Sequence, residues 1–81
     1  MRATVLVRPK PGILDPQGKA VESSLRQLGF LVAETRVGRL VDLEVEAADA
    51  EEARAKLAEM CERLLANPLI ESFEIELERE T

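Results

Sequence analysis

Few side chains in this sequence could do chemistry, and what each can do depends on its neighbours. Cys61 is the only thiol among 81 residues, and a nucleophilic thiol needs a base or a cationic setting to form the thiolate. The chain has no His, so neither a Cys-His pair nor a Ser-His-Asp triad can be built. Cys61 also falls on an apolar stripe with Ala53, Leu57, Met60 and Leu64, the setting of a packed, inert thiol. The carboxylates of Asp42, Glu44, Glu46, Glu74 and Glu76 alternate with apolar residues. That spacing reads as a solvated sheet face, not an acid/base pair or a metal cage. No GxxxxGK[ST] or GxGxxG loop is present to cradle a phosphate. What remains is a basic set, Arg8, Lys10, Lys19, Arg36 and Arg39, suited to an acidic surface or an anionic group.

Composition narrows the class further. Apolar residues make up 46% and charged residues 33%, with a formal charge of −5. That describes a soluble, folded chain, expected as a single domain over residues 1–81. A lone cysteine excludes an internal disulfide and fits a reducing, cytoplasmic compartment. No apolar run is long enough to span a membrane and no signal-peptide pattern opens the chain. An acidic chain with two Phe and no Trp or Tyr is poorly suited to nucleic acid. Neither nucleic acid nor membrane is therefore expected as a partner. A core this small, with neither metal nor disulfide, favours self-association.

The elements that must position these residues follow from periodicity. Arg2 to Arg8 alternates as a strand, with Ala3, Val5 and Val7 on one face. Pro9-Lys10-Pro11-Gly12 ends it. Asp15 caps a helix with Pro16 at its first position. Val21, Leu25 and Leu28 form that helix's apolar stripe, and Gly29 stops it. Gly18, in the first turn, is either a tolerated glycine or a place where something approaches the backbone. Phe30 to Thr35 and Arg39 to Glu46 read as two strands. Their parity requires a three-residue loop, Arg36-Val37-Gly38, if they are to form a hairpin. Asp49 caps a helix from Ala50 to Ala66, about 26 Å long, and Asn67-Pro68 ends it. Ile70 to Glu78 is the last strand. The order β-α-β-β-α-β predicts an α+β, ferredoxin-like fold, with both helices on one face of a four-stranded antiparallel sheet.

Local sequence says more than fold does. The run Arg8-Pro9-Lys10-Pro11-Gly12-Ile13-Leu14-Asp15-Pro16-Gln17-Gly18-Lys19-Ala20-Val21 resembles the start of the PurS subunit of phosphoribosylformylglycinamidine synthase. So do Arg36-Val37-Gly38-Arg39, the run from Met60 to Pro68 with its LLANP ending, and the stretch from Ile70 to Ile75. Arg39 stands where that family often has Lys, keeping the charge but changing the donor geometry. The resemblance implies a small, non-catalytic subunit in purine biosynthesis. It would dimerise, bridge a glutaminase subunit and a large synthetase subunit, and aid ammonia transfer. ATP and Mg²⁺ would be bound by the synthetase, with no cofactor on this chain. ACT-type regulatory modules are the alternative. They share the element order and a Pro-Gly loop like Pro11-Gly12, but DPQG and LLANP are not their signature.

The expected topology brings three connections, residues 9–15, 36–38 and 67–69, to one end. The basic set lies there, together with Gly12, Asp15, Gly18, Gly38, Asn67 and Pro68 from the family-like stretches. This end is the expected partner-docking surface. Leu6, Val32, Leu40 and Ile70 are expected on the sheet face away from the helices, as a self-association patch. An exposed strand edge is a second route to self-association.

Overall fold

Arg2–Pro9 alternates between buried and more exposed residues as β1, and pairing on both sides makes it the central strand. The computed structural model describes residues 1–78. α1 (Pro16–Gln27), β2 (Arg39–Glu44), α2 (Ala50–Met60) and β3 (Glu71–Leu77) follow in order. The strands form an antiparallel sheet ordered β2-β1-β3. Val5 lies opposite Val41 on one side and Ile75 on the other, and Ala3 opposite Leu43 and Leu77. Odd-numbered residues therefore share one face, as the parity predicted. That face carries the core: Ala3, Val5, Val7 and Val45 against Leu57, Cys61 and Ala66.

The helix caps follow the local chemistry. Asp15 Oδ1 accepts from the Gly18 N–H at 3.0 Å, and Asp49 Oδ1 accepts from the Glu52 N–H at 2.8 Å. α1 ends with Gly29 at φ +95°. The Gly29 N–H donates to the Arg26 carbonyl and the Phe30 N–H to the Leu25 carbonyl, both at 3.0 Å, closing a Schellman motif.

Three expectations are corrected. First, the sheet has three strands among the described residues. Residues 30–38 join no ladder, so no 36–38 hairpin forms. The Val37 N–H is taken by Asp15 Oδ2 at 2.9 Å, and the Arg36 guanidinium by the Lys10 carbonyl at 2.9 Å. Residues 36 and 37 are thus tied to the first loop just before the chain enters β2. Second, only α2 covers the core face. Packing between elements runs from β1 to both neighbours and from α2 to β3, and α1 has no comparable contact. Within α1 only Gly18 is buried. Third, the long second helix stops as an α-helix at Met60. It continues as one π turn, Cys61–Leu65, closed by Ala66 N–H to the Cys61 carbonyl at 2.9 Å. The wider turn lets both Cys61 and Ala66 reach the core.

Candidate partner-docking end

The three connections expected together do meet, and backbone hydrogen bonds hold them. Lys10 is the centre. Its N–H donates to the Ile70 carbonyl at 2.8 Å, and its ammonium donates to the Pro68 carbonyl at 2.7 Å. Its own carbonyl accepts from Arg36. The first loop is thereby tied both to the segment before β2 and to the turn before β3.

Asp15 makes a second tie. One carboxylate oxygen caps α1 while the other holds Val37. These two N–H donors, Val37 foremost, hold its carboxyl below the usual carboxylate range. Gly18 explains the closeness. A Cβ there would collide with the Thr35 carbonyl oxygen and the Asp15 carboxylate. Gly38 is the counterpart, where a Cβ would collide with the Val7 carbonyl oxygen. Of the two readings open for Gly18, the close backbone approach is the one observed.

Arg39 closes the far side. Its guanidinium binds both oxygens of Glu71, at 2.7 and 2.9 Å, and the Leu65 carbonyl at 2.6 Å. Glu71 also accepts from the Asn67 N–H at 2.7 Å. Arg39 first, then Asn67, holds the Glu71 carboxyl low, and Glu71 raises the Arg39 guanidinium. Asn67 Oδ1 accepts from the Leu69 N–H at 3.1 Å, shaping the turn around Pro68.

The positive charge of this end is largely met within it. Arg8 pairs with Glu74 at 3.0 Å, Arg36 with Glu34 at 3.4 Å and Arg39 with Glu71. Counting cations along the sequence did not reveal Glu71 and Glu74, which come from a distant segment, whereas Glu34 lies two residues from Arg36. Among the described residues Lys10 and Lys19 make no ion pair. Gly12 lies exposed in the first loop. Leu14, 77% exposed, and Leu69, 83% exposed, also stand on this end. The sequence reading passed over both, although each is an apolar residue in a proline-containing loop with no stripe to join.

The self-association set is only partly assembled. Leu6 and Leu40 oppose each other directly across β1 and β2, and Ile70 precedes β3. Val32 is elsewhere, in the segment outside the sheet, its carbonyl held by Arg26 at 3.0 Å.

A family model described as PurS, phosphoribosylformylglycinamidine (FGAM) synthase, matches residues 2–79. The chain belongs to the PurS family. A PurS subunit from Archaeoglobus fulgidus is 42% identical over 76 residues, 93% of this chain and 95% of that one. The crystal structure of Methanocaldococcus jannaschii PurS superimposes with a TM-score of 0.86 at 36% identity, covering 99% of this chain and 98% of that one. A chain of the PurLQS structure from Thermotoga maritima has a TM-score of 0.85 at 34% identity, with 93% of each covered. PurS is a subunit of FGAM synthase, in purine biosynthesis. Membership settles the choice between PurS and the ACT-type alternative in favour of PurS.

The remaining chemistry-bearing groups sit as structural residues in this PurS chain. Cys61 is fully buried, and burial, with Glu62 nearby, pushes its thiol up. It stays protonated at neutral pH, the opposite of what a nucleophile needs. Asp42 and Glu44 on β2 and Glu74 and Glu76 on β3 line the outer sheet face, where Asp42 accepts from the Thr4 hydroxyl at 2.7 Å, while Glu46 lies past the end of β2. Among the described residues no helix is long and apolar enough to cross a membrane.

Proposed function

We propose that this chain is the non-catalytic bridging subunit of phosphoribosylformylglycinamidine synthase, joining the glutaminase to the ATP-dependent synthetase. The glutaminase releases ammonia from glutamine. The synthetase, holding ATP and Mg²⁺, activates the amide oxygen of formylglycinamide ribonucleotide, and ammonia displaces it. The small subunit makes and breaks no bond. It holds the two active sites in register so that ammonia passes between them without loss to solvent. It does so in the cytoplasm as a homo-oligomer, in which the four-stranded ferredoxin-like arrangement is completed.

The observation that carries this reading is the docking end. The segments most like the family's are far apart in sequence. They are tied to one another through Lys10, Asp15 and Arg39. A surface made of pinned loops loses little entropy on docking. Its exposed leucines and unpaired lysines suit an apolar contact with an acidic rim.

Reconstitution from separate subunits tests it. Omitting this chain should abolish glutamine-dependent synthesis while leaving synthesis from added ammonium intact. The isolated chain should hydrolyse neither glutamine nor ATP. Full glutamine-dependent activity without it would overturn the proposal.

A further inference from the structure

Where the end of β1 meets the start of β2, the sheet carries an open depression of about 340 Å³, within the size range of small-molecule sites. Arg8, Arg36 and Arg39 line it, beside Leu6, Pro9 and Leu40. No carboxylate lines it among the described residues, although the chain's formal charge is −5. The depression at the other end of the same two strands is the reverse, with Asp42, Glu44 and Glu78 against Arg2 alone. An anion is therefore attracted to one end and repelled from the other.

The three guanidinium groups are held from outside the depression. Glu74, Glu34 and Glu71 pair with Arg8, Arg36 and Arg39 in turn, and none of these carboxylates lines it. The Lys10 carbonyl fixes Arg36, and the Leu65 carbonyl fixes Arg39. A guanidinium offers five N–H groups. The Nε–H of all three arginines, and Nη2 of Arg8, make no hydrogen bond among the described residues. Two of the pairs are also easily displaced. Arg8 and Glu74 are both more than half exposed, and Glu34 is 77% exposed with its contact at 3.4 Å; pairs of that kind contribute little. The cations are thus positioned in advance, with donors left over for a ligand. The rest of the surface is apolar. Leu6 and Leu40 stand side by side across β1 and β2, and Leu40 is largely exposed.

We infer that this depression binds a phosphate monoester of mononucleotide size, with its phosphate on Arg8, Arg36 and Arg39 and its body on Leu6, Pro9 and Leu40. A phosphate monoester carries close to two negative charges at neutral pH and three terminal acceptor oxygens, and guanidinium forks bind such oxygens in pairs. A lone carboxylate offers one charge and two oxygens, too few for three arginines. Inorganic phosphate would leave the leucines unused. The site lies within one chain and does not depend on the bridging reading.

Titration of the full chain with adenosine monophosphate, inorganic phosphate and adenosine tests this, by calorimetry and by amide chemical shifts. Adenosine monophosphate should move the Leu6, Gly38 and Leu40 amides saturably and bind about tenfold tighter than inorganic phosphate. Adenosine should not bind, and added salt should weaken the binding of the monophosphate. Arg8→Gln should weaken it about tenfold, with the fold kept, because the exposed pair with Glu74 can be lost without unfolding. Arg2→Gln, at the acidic end, should leave it unchanged. Binding of adenosine as tight as that of its monophosphate would overturn phosphate recognition. Inorganic phosphate binding as tightly would overturn the apolar seat. Shifts that are absent, or that Arg8→Gln leaves unaltered, would overturn the site itself.

Discussion

Asp15 does two jobs with one carboxylate, capping α1 and holding the Val37 N–H. Its carboxyl is held low, as is that of Glu71. A depressed folded-state value stabilises above the ordinary carboxylate range and is lost as pH falls through that depressed value. Stability from both ties is therefore full near neutrality and lost in acid, below about pH 4. The Val37 amide proton resonance should shift as Asp15 protonates, with a midpoint below the ordinary ~3.9; a midpoint above it would show that the tie is absent in solution. Gly18 gives a sharper test. Alanine at a helical position normally gains up to about 1 kcal/mol over glycine. Here its Cβ meets the Thr35 carbonyl and the Asp15 carboxylate. The expected outcome for Gly18→Ala is a net loss of about 1–3 kcal/mol, the scale of overpacking, read from denaturant midpoints. Cys61 should resist thiol reagents until the chain unfolds, and Cys61→Ser should leave glutamine-dependent activity of the complex intact.

Elements were legible in the sequence wherever one chain contains both the pattern and its reason. The alternation of Ala3, Val5 and Val7, the caps at Asp15 and Asp49, and the stop at Gly29 all act locally, and all were found in place. Residues 30–35 show the boundary of that method. Their alternation reports that they can be a strand, not whose edge they join. The hairpin expected at 36–38 was displaced by a hydrogen bond from a residue 22 positions away, which no local pattern encodes. The π turn was hidden for a related reason, since 61–65 keeps helical spacing while its bonds lengthen by one residue. The docking end was legible as a topological meeting of loops, but its neutralising partners Glu71 and Glu74 were not. Leu57 is the clearest energetic test of the element packing. It is fully buried where α2 meets the sheet, and Leu57→Ala should cost about 2–5 kcal/mol. With a core this thin, that loss should show as a chain largely unfolded by circular dichroism near 25 °C. A cooperative transition shifted by under 1 kcal/mol would mean the helix contributes little.

At the scale of the whole molecule, the docking end and the path of the chain into β2 share their anchors. Asp15 and Lys10 hold the loops of the docking end, and the same hydrogen bonds, through Val37 and Arg36, set the direction in which residues 30–35 leave the body. Arg39 is a poor probe of docking. Its reversal would set a carboxylate against Glu71 and strip the Leu65 carbonyl of its donor, loosening the fold itself. Lys19 separates the roles better, since Lys10 itself ties the loops through the Pro68 carbonyl. Lys19→Glu alters charge at the end without breaking a described ion pair. It should weaken assembly with the other subunits, increasingly so at low ionic strength where screening is weak, and leave the denaturant midpoint of the chain unchanged. Asp15→Ala should do something different. It removes the α1 cap and frees the Val37 N–H at once. The expected result is a stability loss of about 1 kcal/mol from the cap alone, read from denaturant midpoints, together with weaker assembly with the other subunits as the pinned loops loosen. Asp15→Asn keeps an acceptor for one of the two N–H groups and should fall between. If Asp15→Ala kept the unsubstituted chain's denaturant midpoint and assembled normally, the double tie through this carboxylate would contribute nothing in solution.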